Sequence, residues 1–279
     1  MKPLIINLAP TGMVPTRALT PRVPLSAEEV AADCAGCQAL GATMFHLHPR
    51  AADGSPSCDR ELFGDLVAAV RRRCPQAVIV ATTSGRRAQE LEQRAAALAL
   101  EGDQKPDMAS LTLGSVNFAS EASVSTPSTV LALAGMMKER GIRPELEVFD
   151  LGMVNVARRL IRKGLLEPPY YFNIILGNPA SAQASLLHLG TLVADLPPES
   201  VWSVGGIGRY QAVANALGVV VADGVRTGIE DNLWLDEERT TLAANADLVS
   251  RIAMQAQALG RSLAGPAEVR ARLGLEVRP

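Results

Sequence analysis

The sequence predicts an α/β protein folded as a single-domain TIM barrel, that is, a (β/α)8 barrel. Eight apolar, strand-like segments alternate with eight helix-like segments, at a spacing of about 30 residues. The length of 279 residues is near the ~250 residues typical of such barrels, and no Pro/Ser-rich linker divides the chain. A doubly wound open sheet is the competing interpretation, since it also alternates strands and helices.

Each predicted strand is a short apolar run, and several of these runs lead into a glycine or proline. The predicted strands cover residues 4–9, 43–48, 77–83, 108–113, 145–150, 170–176, 200–206 and 219–228. The segments between them are rich in Ala, Leu, Arg and Glu. They predict helices over residues 26–40, 60–73, 87–99, 128–140, 152–164, 181–194, 208–217 and 237–260. The first helix has a capping box, Ser26 with Glu29, and a tail at about 262–279 predicts one more short helix starting near Pro266.

The composition excludes several classes of function. The chain carries 27 basic and 29 acidic residues, so neither a nucleic-acid-binding patch nor a polybasic membrane contact is indicated. No run approaches the ~18 apolar residues of a membrane span, and the N-terminal apolar stretch is too short for a signal peptide. We therefore expect a cytoplasmic protein. Cys34 and Cys37 form a C-x-x-C in the middle of a predicted helix, which favours packing thiols over a redox pair.

The segment FHLHPR, residues 45–50, holds two of the three histidines. Because strand residues i and i+2 face the same side, His46 and His48 lie side by side where the second strand ends. Two such imidazoles can share a metal ion with a third ligand. In a closed barrel the last strand returns beside the first two, so Glu230 or Asp231 can supply that ligand. The alternative is a pair of hydrogen-bonded histidines at the barrel rim, and His188 is expected to be structural.

Active sites of TIM barrels lie at the carboxyl ends of the strands, so the polar residues there are candidates for binding or catalysis. We expect substrate contacts from Thr83 and Ser84 after the third strand and from Asn173 in the sixth. The segment GGIGR at 205–209 lacks the later glycine of the dinucleotide fingerprint. It predicts instead a phosphate cradle for a cofactor, formed by Gly206, Gly208 and Arg209, or else a tight turn with a surface arginine.

Several motifs together resemble the beta-keto acid cleavage enzymes, the family that includes 3-keto-5-aminohexanoate cleavage enzyme. They are TG (11–12), HLHPR (46–50), SLTLGSVNF (110–118), PELEVFDLGMV (144–154), ILGNP (175–179), GGIGR (205–209) and VRTGIEDNLW (225–234). The resemblance implies a TIM barrel that binds Zn²⁺, or another divalent metal, through His46, His48 and Glu230. It also implies a metal-dependent acyltransferase that converts a β-keto acid and acetyl-CoA into acetoacetate and a new CoA thioester.

The resemblance assigns further roles. It implies Asp231 and Arg226 as the acid/base pair, Thr82 and Ser110 as hydroxyl donors near the reacting carbonyls, and Glu147 as an acid in the substrate pocket. From the residues alone, Arg226 with its neighbouring carboxylates is either a structural ion pair or a substrate-binding group. The family member that acts on the amino-substituted substrate has an acid where this chain has Val14, so an ammonium-bearing substrate is disfavoured.

Two other functions compete with this one. The first is a metal-dependent aldolase or lyase that acts on a keto acid without CoA. The second is a metal-binding barrel without turnover. The presence of Asp231 and Arg226 beside the ligand residues argues against this second function. We also expect a homo-oligomer, with a tetramer favoured. The sequence leaves open which side group the β-keto acid carries and which metal is native.

Overall fold

Eight parallel strands close into a barrel in the computed structural model, which describes residues 1–86 and 88–278. The strands in chain order are β1 (Ile5–Leu8), β2 (Met44–Leu47), β3 (Val78–Ala81), β4 (Met108–Thr112), β5 (Val116–Asn117), β6 (Ala122–Ser123), β7 (Arg143–Val148), β8 (Tyr170–Leu176), β9 (Ser200–Gly206) and β10 (Gly224–Thr227). The barrel order is β1–β10–β9–β8–β7–β4–β3–β2, and β5 pairs with β6 as a separate hairpin. The predicted TIM barrel is confirmed, and an open sheet is excluded.

Helices follow the barrel strands. They are α1 (Ala27–Ala39), α2 (Arg60–Arg73), α3 (Leu91–Arg94), α4 (Pro127–Arg140), α5 (Leu151–Arg162), α6 (Leu186–Ala194), α7 (Gln211–Val221), α8 (Asn245–Ala258) and α9 (Pro266–Arg272). The start of α1 shows the expected capping box, because the Ser26 hydroxyl accepts from Glu29 N and the Glu29 carboxylate accepts from Ser26 N. Cys34 and Cys37 are buried free thiols of α1, and burial raises the pKa of both.

Four predicted boundaries are wrong. The predicted strand 219–228 starts late, at Gly224, because Val219 is buried as part of α7, which packs on β9 and β10. Tertiary packing here overrides the strand propensity of a valine run. The predicted helix 237–260 starts only at Asn245, since the Asp236 carboxylate accepts from Thr240 N and Thr241 N and closes a turn instead.

The other two boundaries concern shorter helices. Of the predicted helix 87–99, only Leu91–Arg94 is α-helical, followed by a 3-10 turn at Ala96–Ala99, and residue 87 lies outside the described residues. The predicted helix 181–194 begins at Leu186, because the Ser185 hydroxyl accepts from His188 N and caps it there.

The amino-terminal end of the barrel is closed by the tail of the chain. Val269 and Leu273 pack there against inward-facing barrel side chains, among them Ile5 and Met44. Arg270 is buried with them, and its Nη2 lies 2.7 Å from Asp107 Oδ1. This end is therefore filled, which leaves the carboxyl ends of the strands as the open mouth. None of the described helices is both long and apolar enough to cross a membrane.

Candidate active site

Two imidazoles converge at the carboxyl end of β2. His46 and His48 lie on the same strand face, and their Nε2 atoms are 3.1 Å apart. Both side chains are buried, at 1% and 5% exposure. Burial lowers the pKa of His48, which favours the neutral imidazole, the form that ligates metals. The same-face geometry expected from the sequence is therefore present.

Glu230 joins the two histidines from the end of β10. Gly228, at φ +138°, turns the chain there so closely to β1 that a Cβ atom would lie 2.1 Å from the Ala9 carbonyl oxygen. After this turn, Glu230 Oε1 lies 3.3 Å from His48 Nε2. Donor atoms of His46, His48 and Glu230 all fall within 4.8 Å of one another. Of the two carboxylates that the sequence offered, Glu230 is the one beside the histidines.

Glu145 supports His46 from behind and was not singled out from the sequence as a site residue. Its Oε2 lies 2.7 Å from His46 Nδ1, and its Oε1 accepts from Asn7 Nδ2 at 2.6 Å and Asn173 Nδ2 at 3.2 Å. Burial acts to lower the pKa of His46, but the charges of Glu145 and Glu230 and the hydrogen bond to Glu145 together raise that pKa. The signal in the sequence was the spacing Glu145-x-Glu147, which puts both carboxylates on one face of β7.

Arg226 binds three carboxylates at the barrel mouth. Its Nε and Nη2 donate to the two oxygens of Asp231 at 2.9 and 3.2 Å. Nη2 also donates to Glu230 at 2.8 Å, and Nη1 to Glu147 at 3.3 Å. Burial raises the pKa of Asp231 and of Glu147 despite the nearby guanidinium, whereas the two histidines and Arg226 hold the pKa of Glu230 well below its usual value. The predicted Arg226–Asp231 pair is thus formed.

A cavity of ≈ 340 Å³ opens over this cluster. Its wall contains both histidines, Glu147, Arg226, Glu230 and Asp231. Around them, apolar side chains line much of the space, and they include Met13, Val14, Pro15, Phe118, Phe149, Ile175, Ile207, Leu233 and Trp234. Such a concave site with a few convergent polar groups suits a small organic substrate.

The predicted polar contacts divide into two groups. Thr82 and Ser84 line the cavity. Ser110 and Thr83 instead bond to each other behind the wall, because Thr83 N donates to Ser110 Oγ at 3.0 Å and Thr83 Oγ1 to Ser110 O at 2.6 Å. Asn173 is likewise turned to Glu145, as described above. None of these three lines the cavity, and each makes hydrogen bonds within the protein, so their substrate contacts stay a prediction.

Thr112 is a second residue to which the sequence alone assigned no role. The register of β4 against β7 places it opposite Glu147, and its hydroxyl donates to Glu147 Oε2 at 2.6 Å. It also lines the cavity. The hydroxyl thereby fixes the carboxylate whose other oxygen meets Arg226.

The predicted phosphate cradle has a different arrangement from the one expected. Ile207 N donates to Leu176 O at 2.9 Å and Gly208 N to Asp231 O at 2.8 Å, so these amides already have acceptors. Gly206 is packed, since a Cβ atom there would lie 2.5 Å from the Tyr210 carbonyl oxygen. Gly208 lines the main cavity, while Arg209 is exposed and lines an adjoining cavity of ≈ 250 Å³. A phosphate here would be held by side chains, not by a backbone cradle.

The profile of one protein family, described as beta-keto acid cleavage enzyme, matches residues 3–275. The chain belongs to the beta-keto acid cleavage enzyme family. A 3-keto-5-aminohexanoate cleavage enzyme of Fusobacterium nucleatum subsp. nucleatum is 36% identical over 277 residues, which is 99% of each chain. A 3-oxoadipate:acetyl-CoA acetyltransferase of Cupriavidus necator is 34% identical over 278 residues, covering 98% of this chain and 95% of the relative.

A solved structure agrees on the architecture. The apo structure of ObcA superposes with a TM-score of 0.79 over 92% of this chain and 66% of ObcA, at 23% identity. That likeness supports the fold alone. Within the beta-keto acid cleavage enzyme family, two relatives of nearly equal identity to this chain are named for different substrates. Family membership therefore does not identify the side group of the β-keto acid, and the residues of the cavity wall are the ones that can select it.

Proposed function

We propose that the chain is a metal-dependent acyltransferase that converts a β-keto acid and acetyl-CoA into acetoacetate and a new CoA thioester. Family membership supports the reaction class. The single observation that carries the proposal is the convergence of His46, His48 and Glu230 beside the Arg226–Asp231 pair, in one cavity. In this proposal, three metal ligands and an acid/base group face a cavity with room for a small substrate.

The three ligand residues fit a divalent cation, and zinc is the ion we propose. With the His46 Nδ1 proton directed to Glu145, the Nε2 atom of that ring keeps its lone pair 3.1 Å from Nε2 of His48, so both nitrogens would be available to one cation. Glu230 Oε2 is buried without a hydrogen-bond partner among the described residues, as a ligand atom would be. Two histidines and one carboxylate leave coordination positions for substrate, and the bound metal supplies Lewis-acid stabilisation of enolate charge.

Asp231 is the group we propose to move the proton. It takes a proton from the carbon between the ketone and the carboxylate of the β-keto acid. That carbon then bonds to the acetyl carbonyl as the CoA thiolate leaves. The thiolate next attacks the original ketone carbon, the bond between that carbon and the central carbon breaks, and the proton returns. Burial raises the pKa of Asp231, which makes it a stronger base, and Arg226 holds both of its oxygens in place.

Other residues have supporting roles in this proposal. The Thr82 hydroxyl lines the cavity and is available to a reacting carbonyl, and Glu147 is fixed between Thr112 and Arg226. We propose that the side chains of Arg209 and the cavity-lining Arg239 meet the phosphate-bearing part of acetyl-CoA near the mouth. We further propose a cytoplasmic homo-oligomer, with a tetramer favoured, for which light scattering after gel filtration gives the subunit number.

Metal content tests the ligand set. Purified protein should carry about one divalent ion per chain, and His48→Ala should remove it, because two ligands rarely hold a catalytic ion. His188→Ala is the matched control, since this third histidine is exposed and its Nδ1 accepts from Gln183 N, five residues away. Full metal content in the His46→Ala/His48→Ala double variant would refute the site.

A screen of β-keto acids tests the reaction. Each acid is offered with and without acetyl-CoA, and acetoacetate and new thioesters are measured. The proposal predicts acetoacetate only when both substrates are present. Cleavage of a keto acid at the same rate without any CoA ester would favour the aldolase or lyase alternative. Metal binding without turnover on any acid in the screen would favour the non-catalytic barrel.

A further inference from the structure

The residue that follows the H-L-H-P segment, Arg50, makes an unusual set of contacts. Its side chain is buried, and three of its nitrogens donate to backbone carbonyl oxygens. Nε and Nη2 donate to Gly12 O at 3.0 and 2.7 Å, Nη2 also to Pro15 O at 2.9 Å, and Nη1 to Gly54 O at 2.8 Å. One guanidinium therefore ties the loop after β1, at two points, to the loop after β2.

The first of these loops lies directly against a metal-ligand residue. Gly12 has φ +64°, and a Cβ atom there would lie 2.4 Å from Cγ and 2.8 Å from Cβ of Glu230. The Gly12 backbone thus packs against the Glu230 side chain and limits the positions that its carboxylate can take. Thr11 anchors the same loop a second time, by donating from Oγ1 to Pro24 O at 3.0 Å.

The next three residues of the loop form part of the cavity wall. Met13, Val14 and Pro15 all line the cavity that contains His48 and Glu230. The carbonyl of Pro15 is one of the acceptors of Arg50. The position of this wall and the position of the Glu230 carboxylate are therefore set by the same anchor.

We propose that Arg50 is a positioning residue which, through residues 12–15, fixes both the Glu230 ligand and the wall that bounds the side group of the β-keto acid. The part about the side group rests on the proposed function. The role requires arginine, because its planar fork reaches three carbonyl oxygens at once, whereas a lysine ammonium on a flexible stem cannot reproduce that geometry. Loss of the fork leaves the buried carbonyls of Gly12 and Pro15 without these donors.

The test compares Arg50→Lys, which keeps the charge, with Arg17→Lys as the matched control. Arg17 lies at the end of the same loop but is half exposed and pairs with Glu29. Zinc affinity is measured by chelator competition without substrate, and steady-state kinetics give KM separately for the β-keto acid and for acetyl-CoA. Arg50→Lys should weaken zinc binding and raise KM for the β-keto acid, each by about 10-fold or more, the scale expected when hydrogen bonds to a charged group are lost.

The KM for acetyl-CoA should change little. The ratio of kcat/KM between two β-keto acids that differ in side-group size should move closer to one. Gly12→Ala, which retains Arg50, should also weaken zinc binding, because the added methyl displaces Glu230. If Arg50→Lys does not fold, this second variant still tests the contact through which Arg50 positions Glu230. Wild-type zinc affinity and wild-type selectivity in a folded Arg50→Lys protein, or in Gly12→Ala, would overturn the inference. Absence of turnover in the wild-type protein would instead refute the proposed function, while the zinc measurement still tests Arg50.

Discussion

Glu145 Oε2 lies 2.7 Å from His46 Nδ1, so a fully buried carboxylate orients the imidazole whose opposite nitrogen faces His48. With the Nδ1 proton directed to Glu145, the Nε2 atom of His46 keeps its lone pair for a metal. Asn7 and Asn173 in turn hold the other oxygen of Glu145. The ligand geometry is therefore built from inside the barrel as well as from its rim.

Replacement of Glu145 tests this support. Glu145→Gln keeps the shape but removes the charge that favours a proton on His46 Nδ1. We expect zinc affinity to fall by about 10- to 100-fold, as for other supporting partners of metal-bound histidines. Chelator competition measures the affinity, and Glu101→Gln, an exposed glutamate, is the control. Unchanged affinity in Glu145→Gln would show that the carboxylate does not support the ligand.

The adjacent carboxylates Glu230 and Asp231 should have separable roles. Glu230 lies beside His48, whereas both carboxylate oxygens of Asp231 accept hydrogen bonds from Arg226. Asp231→Asn should keep its metal and lower kcat by about 10²- to 10⁴-fold, the usual contribution of an acid/base group. Glu230→Gln should weaken metal binding itself. Metal analysis and kcat of both variants decide the matter, and an Asp231→Asn protein that turns over normally or has lost its metal would contradict the assignment.

Val14 should govern the charge of the accepted side group. It lines the cavity and is 48% exposed, so a glutamate there would stay solvated and ionised. We expect wild-type enzyme to prefer a β-keto acid without an ammonium group. Val14→Glu should raise kcat/KM for an ammonium-bearing acid, relative to its uncharged analogue, by about 10-fold, the scale of one charge-assisted hydrogen bond. Val14→Gln is the control for size, and an equal effect in that variant would rule out charge as the cause.

Asp33 should make stability fall as the pH rises. Burial, opposed by a hydrogen bond from Asn245 Nδ2 at 2.7 Å, raises the pKa of Asp33 from 3.8 to about 6. The folded protein therefore holds this proton more tightly than the unfolded chain, and the penalty for the buried charge develops between about pH 4 and pH 6. Above that window it is fully present.

Asp33→Asn removes the penalty and can still accept from Asn245. We expect its Tm to exceed that of the wild type by a few degrees at about pH 8, and the difference to disappear near pH 4. Thermal unfolding followed at several pH values measures this, with the exposed Asp65→Asn as control. A Tm difference that stays constant across the range would contradict the raised pKa.

Local patterns were enough to predict much of the fold and part of the site. The two-residue period of a strand puts His46 and His48 on one face, and barrel closure brings β10 beside β1, which delivers Glu230. Contacts between strands that are distant in sequence were not predictable in this way. Glu145 meets His46 across 99 positions, and Thr112 meets Glu147 only through the register of β4 against β7.

The hydrogen bonds of loop backbone groups could not be predicted from the sequence either. The segment that contains Gly206 and Gly208 has the glycine content of a phosphate-binding turn. The Gly208 amide, however, already donates to the carbonyl oxygen of Asp231. Arg50 was visible in its motif, but its acceptors are carbonyl oxygens of two loops, and loop carbonyls leave no mark in a sequence. Such contacts depend on the final packing of the loops on the barrel.

The most direct test of the central claim is isotope tracing. Enzyme is given a β-keto acid that it accepts and acetyl-CoA labelled with ¹³C at both acetyl carbons, and the products are analysed by NMR and mass spectrometry. Acyl transfer predicts acetoacetate labelled at its keto and methyl carbons only, together with an unlabelled CoA thioester that carries the side group. Acetoacetate without label, or label in the new thioester, would contradict the account.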